Sequence, residues 1–282
     1  MVGESQDANV QSLIQSSIGE RVVFVDLEHS LVSWDLLERP SILTVDRVDY
    51  EFQAAFLRPP IDSSRDTSIF ALVIAFVKHN RDIKIFNRDR LGVYNDKCLN
   101  LLAAQATGLS VTSTLVTNDM DFCKVLPFSS FGLVYKPIQG GELVTWRNPA
   151  CNRVSFVQKL LCVPEMRVFC ITELDSGVCS SFVFFLRSSS LDYRESHDCS
   201  IEWICAEDLC TLGIDEIVQK TGQLSESLGF SFSASDFKMD WSSNSFQFLE
   251  INSCPMFSEF DRITAGTLLK TLISCWIGKR KI

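Results

Sequence analysis

Acidic and amide side chains gather near the C-terminal end of the sequence, in Ser235 to Phe260, which reads SDFKMDWSSNSFQFLEINSCPMFSEF. Asp236 and Asp240 stand on one strand by pattern, and a polar turn at Ser242 to Ser245 reverses the chain. A second strand, Phe246 to Ile251, carries Glu250 and leads to Asn252. Such a hairpin brings Asp236, Glu250 and Asn252 close together at one end. These are hard oxygen donors, the kind that Mg²⁺ takes alongside phosphate oxygens rather than in a closed protein cage. The same pattern equally describes a surface hairpin with solvated acids.

LEINSCP resembles the metal-binding end of the ATP-grasp ligases, where an acidic residue, then Glu-x-Asn and a Pro, recur in this order. Glutathione synthetases, the ribosomal-protein glutamate ligases and the ATP-grasp ligases that mature ribosomally made peptides share it. The resemblance implies further parts upstream in a fixed order: two separated lysines for the phosphates, a short glycine-bearing loop and an adenine hinge.

Each of these has a counterpart. Asn95 to Gly108 has helical spacing, a capping Asn95 or Asp96 and a glycine stop, and by the match Lys97 is the first phosphate lysine. Read singly, Lys97 is an ordinary exposed helix lysine. Phe131 to Pro137 is a strand presenting Lys136, a point charge suited to the α- and β-phosphates. Gly140 and Gly141 follow, where backbone N–H groups can approach phosphate oxygens without a side chain in the way. Two glycines are equally a hairpin turn, and the family loop is longer and richer in glycine.

Val154 to Leu161 is similar to the strand leading to the hinge, so the resemblance assigns adenine to backbone atoms near Gln158, Lys159 and Leu160. Pro164 to Phe169 resembles the acid-x-Arg strand of the family, with Arg167 facing the phosphates or a bound carboxylate. Without the other motifs, Glu165 and Arg167 read as a pair on the solvent face of an edge strand. Leu191-Asp192-Tyr193-Arg194 resembles the Asp-aromatic-Arg step of the peptide-maturing members and makes Arg194 the second residue for the acyl-phosphate region.

The elements that must position these groups follow from periodicity. Residues 1–20 are polar and expected to be loosely held. Arg21 to Leu27 reads as a strand, Ser41 to Arg58 as one or two more, Ile69 to His79 as a helix, and Ile83 to Phe86 as a strand. This order predicts a small α/β lobe over about residues 21–90, shortened relative to the family. Residues 91–282 then form the ATP-grasp domain, with about 115–160 as the smaller ATP lobe. Phe182 to Arg187 reads as a strand, and Ile214 to Leu228 and Ile263 to Ile277 as helices. The expected class is α+β or α/β: two α+β lobes gripping ATP, preceded by the N-terminal lobe.

Composition sets bounds on function. A formal charge of −9 disfavours a nucleic-acid backbone as a general partner. Eleven cysteines, an odd number without a C-x-x-C pair, read as small buried apolar residues in a reducing cytoplasm. No apolar run is long enough to span a bilayer, so no membrane partner is expected.

The activity implied by the resemblance is ATP- and Mg²⁺-dependent ligation, with Mn²⁺ as an alternative metal. A carboxylate of a peptide, protein or amino-acid substrate is activated as an acyl phosphate and joined to an amine or hydroxyl. Lys97 and Lys136 counter phosphate charge, while Arg167 and Arg194 stabilise the acyl phosphate. Asp240 assists the metal site or only caps the turn. The peptide-maturing ligases are the nearest subgroup by Val45 to Pro59, LDYR and NSCPMF. A homodimer is a further expectation of the resemblance. Two other readings stay open: an ATP-grasp kinase acting on a hydroxyl, and a non-catalytic nucleotide- or partner-binding module.

Overall fold

The strands between Cys162 and Asn252 carry apolar runs, such as Val168 to Ile171 and Phe182 to Leu186, that are buried on both faces and build the central sheet. The computed structural model describes residues 1–16, 22–60, 67–91, 96–119, 132–137, 154–190 and 198–278. Gly140, Gly141 and Arg194 lie outside them.

Residues 1–91 form the first lobe. It contains β1 (Val2–Gly3), α1 (Ala8–Ser16), β2 (Val25–Asp26), β3 (Val32–Trp34), β4 (Leu43–Val45), β5 (Val48–Tyr50) and α2 (Ser68–His79). β1 and β2 pair in parallel, while β3, β4 and β5 form an antiparallel meander. The expectation that residues 1–20 are loosely held is corrected for residues 1–16. Val10 and Leu13 are fully buried and anchor α1 to the molecule. Burial of a Val or Leu side chain contributes roughly 1.5–3 kcal/mol, so the lobe opens on an ordered βα segment, β1 followed by α1. The strand expected over residues 83–86 is reduced to one parallel bridge, between Lys84 and Ala54 of the same lobe.

The next part contains α3 (Lys97–Ala106) and β6 (Thr114–Thr117), β7 (Leu133–Pro137) and β8 (Ser155–Lys159). These three strands form an antiparallel sheet with β8 in the middle. The large sheet is antiparallel, in the order β11-β10-β9-β12-β13. Its strands are β9 (Cys162–Thr172), β10 (Cys179–Arg187), β11 (Ser200–Ile204), β12 (Phe232–Asp240) and β13 (Ser245–Asn252). The helices α4 (Asp215–Ser227), α5 (Ser258–Ile263) and α6 (Thr267–Ile277) complete the chain. The single C-terminal helix expected from Ile263 onward is instead α5 and α6, separated at Gly266, whose φ of 83° is the left-handed conformation that glycine adopts without a Cβ clash.

Both faces of the large sheet are packed. One face carries Met166, Val168, Phe237 and Phe248 in a core shared with residues of α3 and α4. The other carries Phe169, Phe184 and Phe232 against Phe260 and Leu268. Phe184 and Phe260 meet edge-on with centroids 4.9 Å apart. The second face is apolar along only part of its length. Toward the other end it carries Glu165, Arg167, Asp236 and Lys238. No described helix is long and apolar enough to cross a membrane.

Candidate functional site

The charged end of the sheet begins with register. Asp236 on β12 lies opposite Arg167 on β9 and opposite Glu250 on β13, while Ala234 lies opposite Asn252. Phe237 pairs with Phe248, so regular alternation would set Leu249 opposite Asp236 and turn Glu250 to the phenylalanine face. A bulge between Asp236 and Phe237 takes up the extra residue and brings Glu250 to Asp236. Asn252 Nδ2 then stands 3.5 Å from Asp236 Oδ2 and 3.4 Å from Glu250 Oε1. The three residues expected at the metal site are therefore brought together.

Cations surround them. Arg167 makes a two-pronged pair with Asp236, Nε to Oδ1 at 2.6 Å and Nη2 to Oδ2 at 2.8 Å. Its guanidinium also lies 5.1 Å from the Phe260 ring centroid. This buried pair replaces the solvent-exposed Glu165–Arg167 pair that the sequence left open. Glu165 pairs instead with Lys238, Oε2 to Nζ at 3.3 Å. Lys238 was not singled out in the sequence, although its spacing of two from Asp236 sets it on the same face.

Lys97 enters at the start of α3, where Asp96 Oδ1 accepts from the N–H groups of Cys98 and Leu99. Such a cap contributes about 1 kcal/mol and fixes the first turn. A cation there opposes the helix dipole. Glu250 offsets it, with Lys97 Nζ 3.4 Å from Glu250 Oε2. Lys136, on β7, lies close enough to Glu250 and Lys97 for their charges to act on its amine. Burial lowers its affinity for a proton, Lys97 lowers it further and Glu250 raises it, leaving it below the ordinary lysine value. Burial raises the Glu250 carboxyl, but Lys136 and Lys97 outweigh that and hold it below the usual range. The Glu165 carboxyl is pushed up by burial and by Asp236.

Four cations, Lys97, Lys136, Arg167 and Lys238, therefore meet three carboxylates, Glu165, Asp236 and Glu250. An excess of positive charge over a recessed, partly desolvated site is suited to a polyanion.

The assigned hinge has a different construction from the expected one. Lys159 N–H donates to Ser113 C=O at 3.3 Å and Leu160 N–H to Gly132 C=O at 3.0 Å. As part of a central strand and its continuation, these two amides are used within the small lobe. Gln158 shares a face of β8 with Phe156, which pairs with Lys136, so the glutamine lies on the same side of the sheet as that lysine. It is 2% exposed, its Nε2 donates to Thr114 Oγ1 at 3.0 Å, and its Oε1 has no partner among the described residues. Lys159 Nζ reaches Asp240 Oδ1 at 2.9 Å and Oδ2 at 2.7 Å, tying the small lobe to the hairpin turn. Asp240 also accepts from Ser242 N–H.

The donor set fits a hard cation. Among the described residues no three His, Cys, Asp or Glu side chains form a metal cage. Two carboxylates and an amide are nevertheless what a partly hydrated, phosphate-bound Mg²⁺ requires. A half-turn of the Asn252 amide presents its oxygen where its nitrogen now faces both carboxylates.

No family model and no curated protein matches the sequence. Solved structures do match its fold. The ATP-grasp ligase PsnB, complexed with a phosphomimetic variant of its minimal precursor, Mg and ADP, superposes with a TM-score of 0.71 and is 20% identical, covering 97% of each chain. The macrocyclase MdnC bound with the precursor peptide MdnA from Microcystis aeruginosa matches with a TM-score of 0.72 at 15% identity, covering 99% of this chain and 98% of the other. D-alanyl-alanine synthetase A from Vibrio cholerae matches with a TM-score of 0.69 at 14% identity, covering 97% of this chain and 95% of the other. The chain has the ATP-grasp ligase fold.

Proposed function

We propose that this protein is an ATP- and Mg²⁺-dependent carboxylate ligase acting on a peptide or protein substrate through an acyl phosphate. One observation carries the reading: Lys97, Lys136 and Arg167 converge on Asp236, Glu250 and Asn252 with net positive charge. The ligands named for PsnB, which are a precursor, Mg and ADP, support it.

In this reading Asp236, Glu250 and Asn252 would hold Mg²⁺, which would supply neutralisation of the charge on the phosphates. Mn²⁺ suits the same donors. Lys97 and Lys136 bind the remaining phosphate charge. The buried Gln158 Oε1 accepts from the exocyclic amine of adenine, in place of the occupied Lys159 and Leu160 amides. Gly140 and Gly141 cover the phosphates.

A substrate carboxylate oxygen bonds to the γ-phosphorus as the bond to the ADP oxygen breaks, giving acyl phosphate and ADP. An amine or hydroxyl then bonds to the acyl carbon, releasing phosphate, and the nucleophile gives up its proton. Arg167 and Arg194 stabilise the acyl phosphate. Most of the acceleration comes from positioning and fixed charge. Of the nine described cysteines only Cys170 and Cys275 are buried, which corrects the reading of most cysteines as small buried apolar residues.

Hydroxylamine trapping tests the reaction. Glutamate- or aspartate-bearing peptides incubated with the protein, ATP, Mg²⁺ and hydroxylamine are expected to yield hydroxamate and ADP in equal amounts. A stable phosphorylated peptide without hydroxamate would establish a kinase instead. Absence of ADP with every carboxylate would leave the nucleotide-binding module as the reading.

A further inference from the structure

The chain leaving the proposed metal end, residues 253–258, is held by hydrogen bonds from the N-terminal lobe. Asn87 Nδ2 donates to Ser253 C=O at 2.6 Å. Arg58 Nη1 donates to Cys254 C=O at 2.9 Å and to Pro255 C=O at 3.0 Å. Asn9 Oδ1 accepts from the N–H groups of Phe257 and Ser258, at 2.7 and 2.9 Å. These groups are themselves fixed. Asp7 Oδ2 takes Arg58 Nε at 2.9 Å, and Asp7 Oδ1 takes Asn9 Nδ2 and Asn9 N–H, both at 2.7 Å.

Asp7, Asn9 and Arg58 are 4%, 0% and 5% exposed, so the bonds among them and those to Pro255 C=O and Phe257 N–H are made away from water. Asn87 also grips the start of β12, accepting from Ser231 N–H at 2.7 Å and Phe232 N–H at 2.9 Å. The two chain segments that flank the metal-ligand hairpin are thus fastened to one lobe.

From this geometry we infer that Arg58, held by Asp7, is a positioning residue for the metal site: it fixes the peptide beyond Asn252 and thereby the spacing of Asn252 and Glu250 toward Asp236. The inference rests on the ligase-site reading above. Its physical basis is that a binding constellation works only when its ligands are held within about 0.5 Å, and the peptide that follows Asn252 has left strand pairing. Arg58 can make its bonds to Asp7 and to two carbonyls together because its donors form a rigid fork, which lysine lacks. Groups supporting metal ligands typically change metal affinity by roughly 10–100-fold when removed.

The discriminating variant is the double substitution Asp7→Asn with Arg58→Met. It leaves no lone buried charge, keeps an acceptor for Asn9 and removes the bonds to Cys254 and Pro255. Three quantities are read: melting temperature, amide exchange of metal-free protein, and the Mg²⁺ concentration that half-saturates the enhancement of AMPPNP binding. Exchange over residues 253–258 is expected to accelerate at least about tenfold while β9 and β10 keep their protection. The Mg²⁺ midpoint is expected to rise at least about tenfold with metal-free AMPPNP affinity within about twofold of the parent.

Arg58→Lys, which retains the charge, is expected to fall between. A folded double variant with an unchanged Mg²⁺ midpoint overturns the positioning role and leaves Arg58 as a core ion pair. A parent whose AMPPNP binding ignores Mg²⁺ overturns the metal reading itself, an outcome visible before any variant is made.

Discussion

Glu250→Gln separates the two duties of that carboxylate. In the metal-free protein Glu250 lies 3.4 Å from Lys97 Nζ and lowers the charge available to phosphates. Coulomb attraction at that distance is about 5 kcal/mol at an effective dielectric of 20 and about 1 kcal/mol in water. The side chains are 22% and 29% exposed, so the net coupling sits toward the lower figure, about 1 kcal/mol.

Removing the negative charge therefore tightens metal-free AMPPNP binding by roughly fivefold, because Lys97 and Lys136 are released to the phosphates. With Mg²⁺ the order reverses, since the parent offers a charged carboxylate where glutamine offers only a neutral amide oxygen. Calorimetric titration of both proteins with AMPPNP, with and without Mg²⁺, reads the two effects separately. A variant with parental metal-free affinity and parental Mg²⁺ enhancement would refute both the pairing argument and the metal assignment.

Three further predictions follow from particular contacts. Arg167→Met leaves the buried Asp236 without its guanidinium and is expected to cost about 3–5 kcal/mol. That corresponds to a drop of roughly 10 °C in melting temperature, partly restored by Mg²⁺ if the metal takes over the carboxylate; no response of the melt to Mg²⁺ counts against Asp236 as a ligand. Lys159 and Asp240 should show a coupling of about 1–3 kcal/mol in a double-mutant cycle. Burial opposes the Asp240 charge, but Lys159 and Ser242 hold the carboxyl below its ordinary value of 3.8. Its stabilisation is therefore complete above that pH and lost as the pH falls through the depressed folded value, and Asp240→Asn melts without this acid-side loss. Gln158→Leu removes a buried acceptor that has no partner among the described residues, so the melting temperature should hold or rise while AMPPNP binding weakens by about tenfold; unaltered AMPPNP binding excludes Gln158 from the adenine site.

The sequence carried more of the strands than of the connections between lobes. Helices α2, α3 and α4 fall where apolar spacing sets them, with the Asp96 cap and the Gly108 stop bounding α3. Residues 1–16 were misread because a short polar-looking segment gives little periodicity. Its order comes from burying Val10 and Leu13 and from Asp7 and Asn9 bonding to residues far along the chain. The strand expected over Val154 to Leu161 is β8, yet the use of its amides within the sheet depends on β8 being central, which pairing alone decides.

Local chemistry in the sequence determined that Asp236, Glu250 and Asn252 stand on one hairpin and that Lys97 opens a capped helix. Only the tertiary structure decided that they meet. Regular alternation sets Glu250 with Phe246 and Phe248 on the packed face, and the bulge, a property of two strands and not of one, brings it opposite Asp236. The partners of Arg167 and Lys238 were equally undetermined, because cross-strand register pairs residues 69 and 73 positions apart. Local propensity ends within a few residues, whereas the charge balance of this site is set between strands, and the peptide leaving it is fastened by a lobe nearly 200 residues upstream.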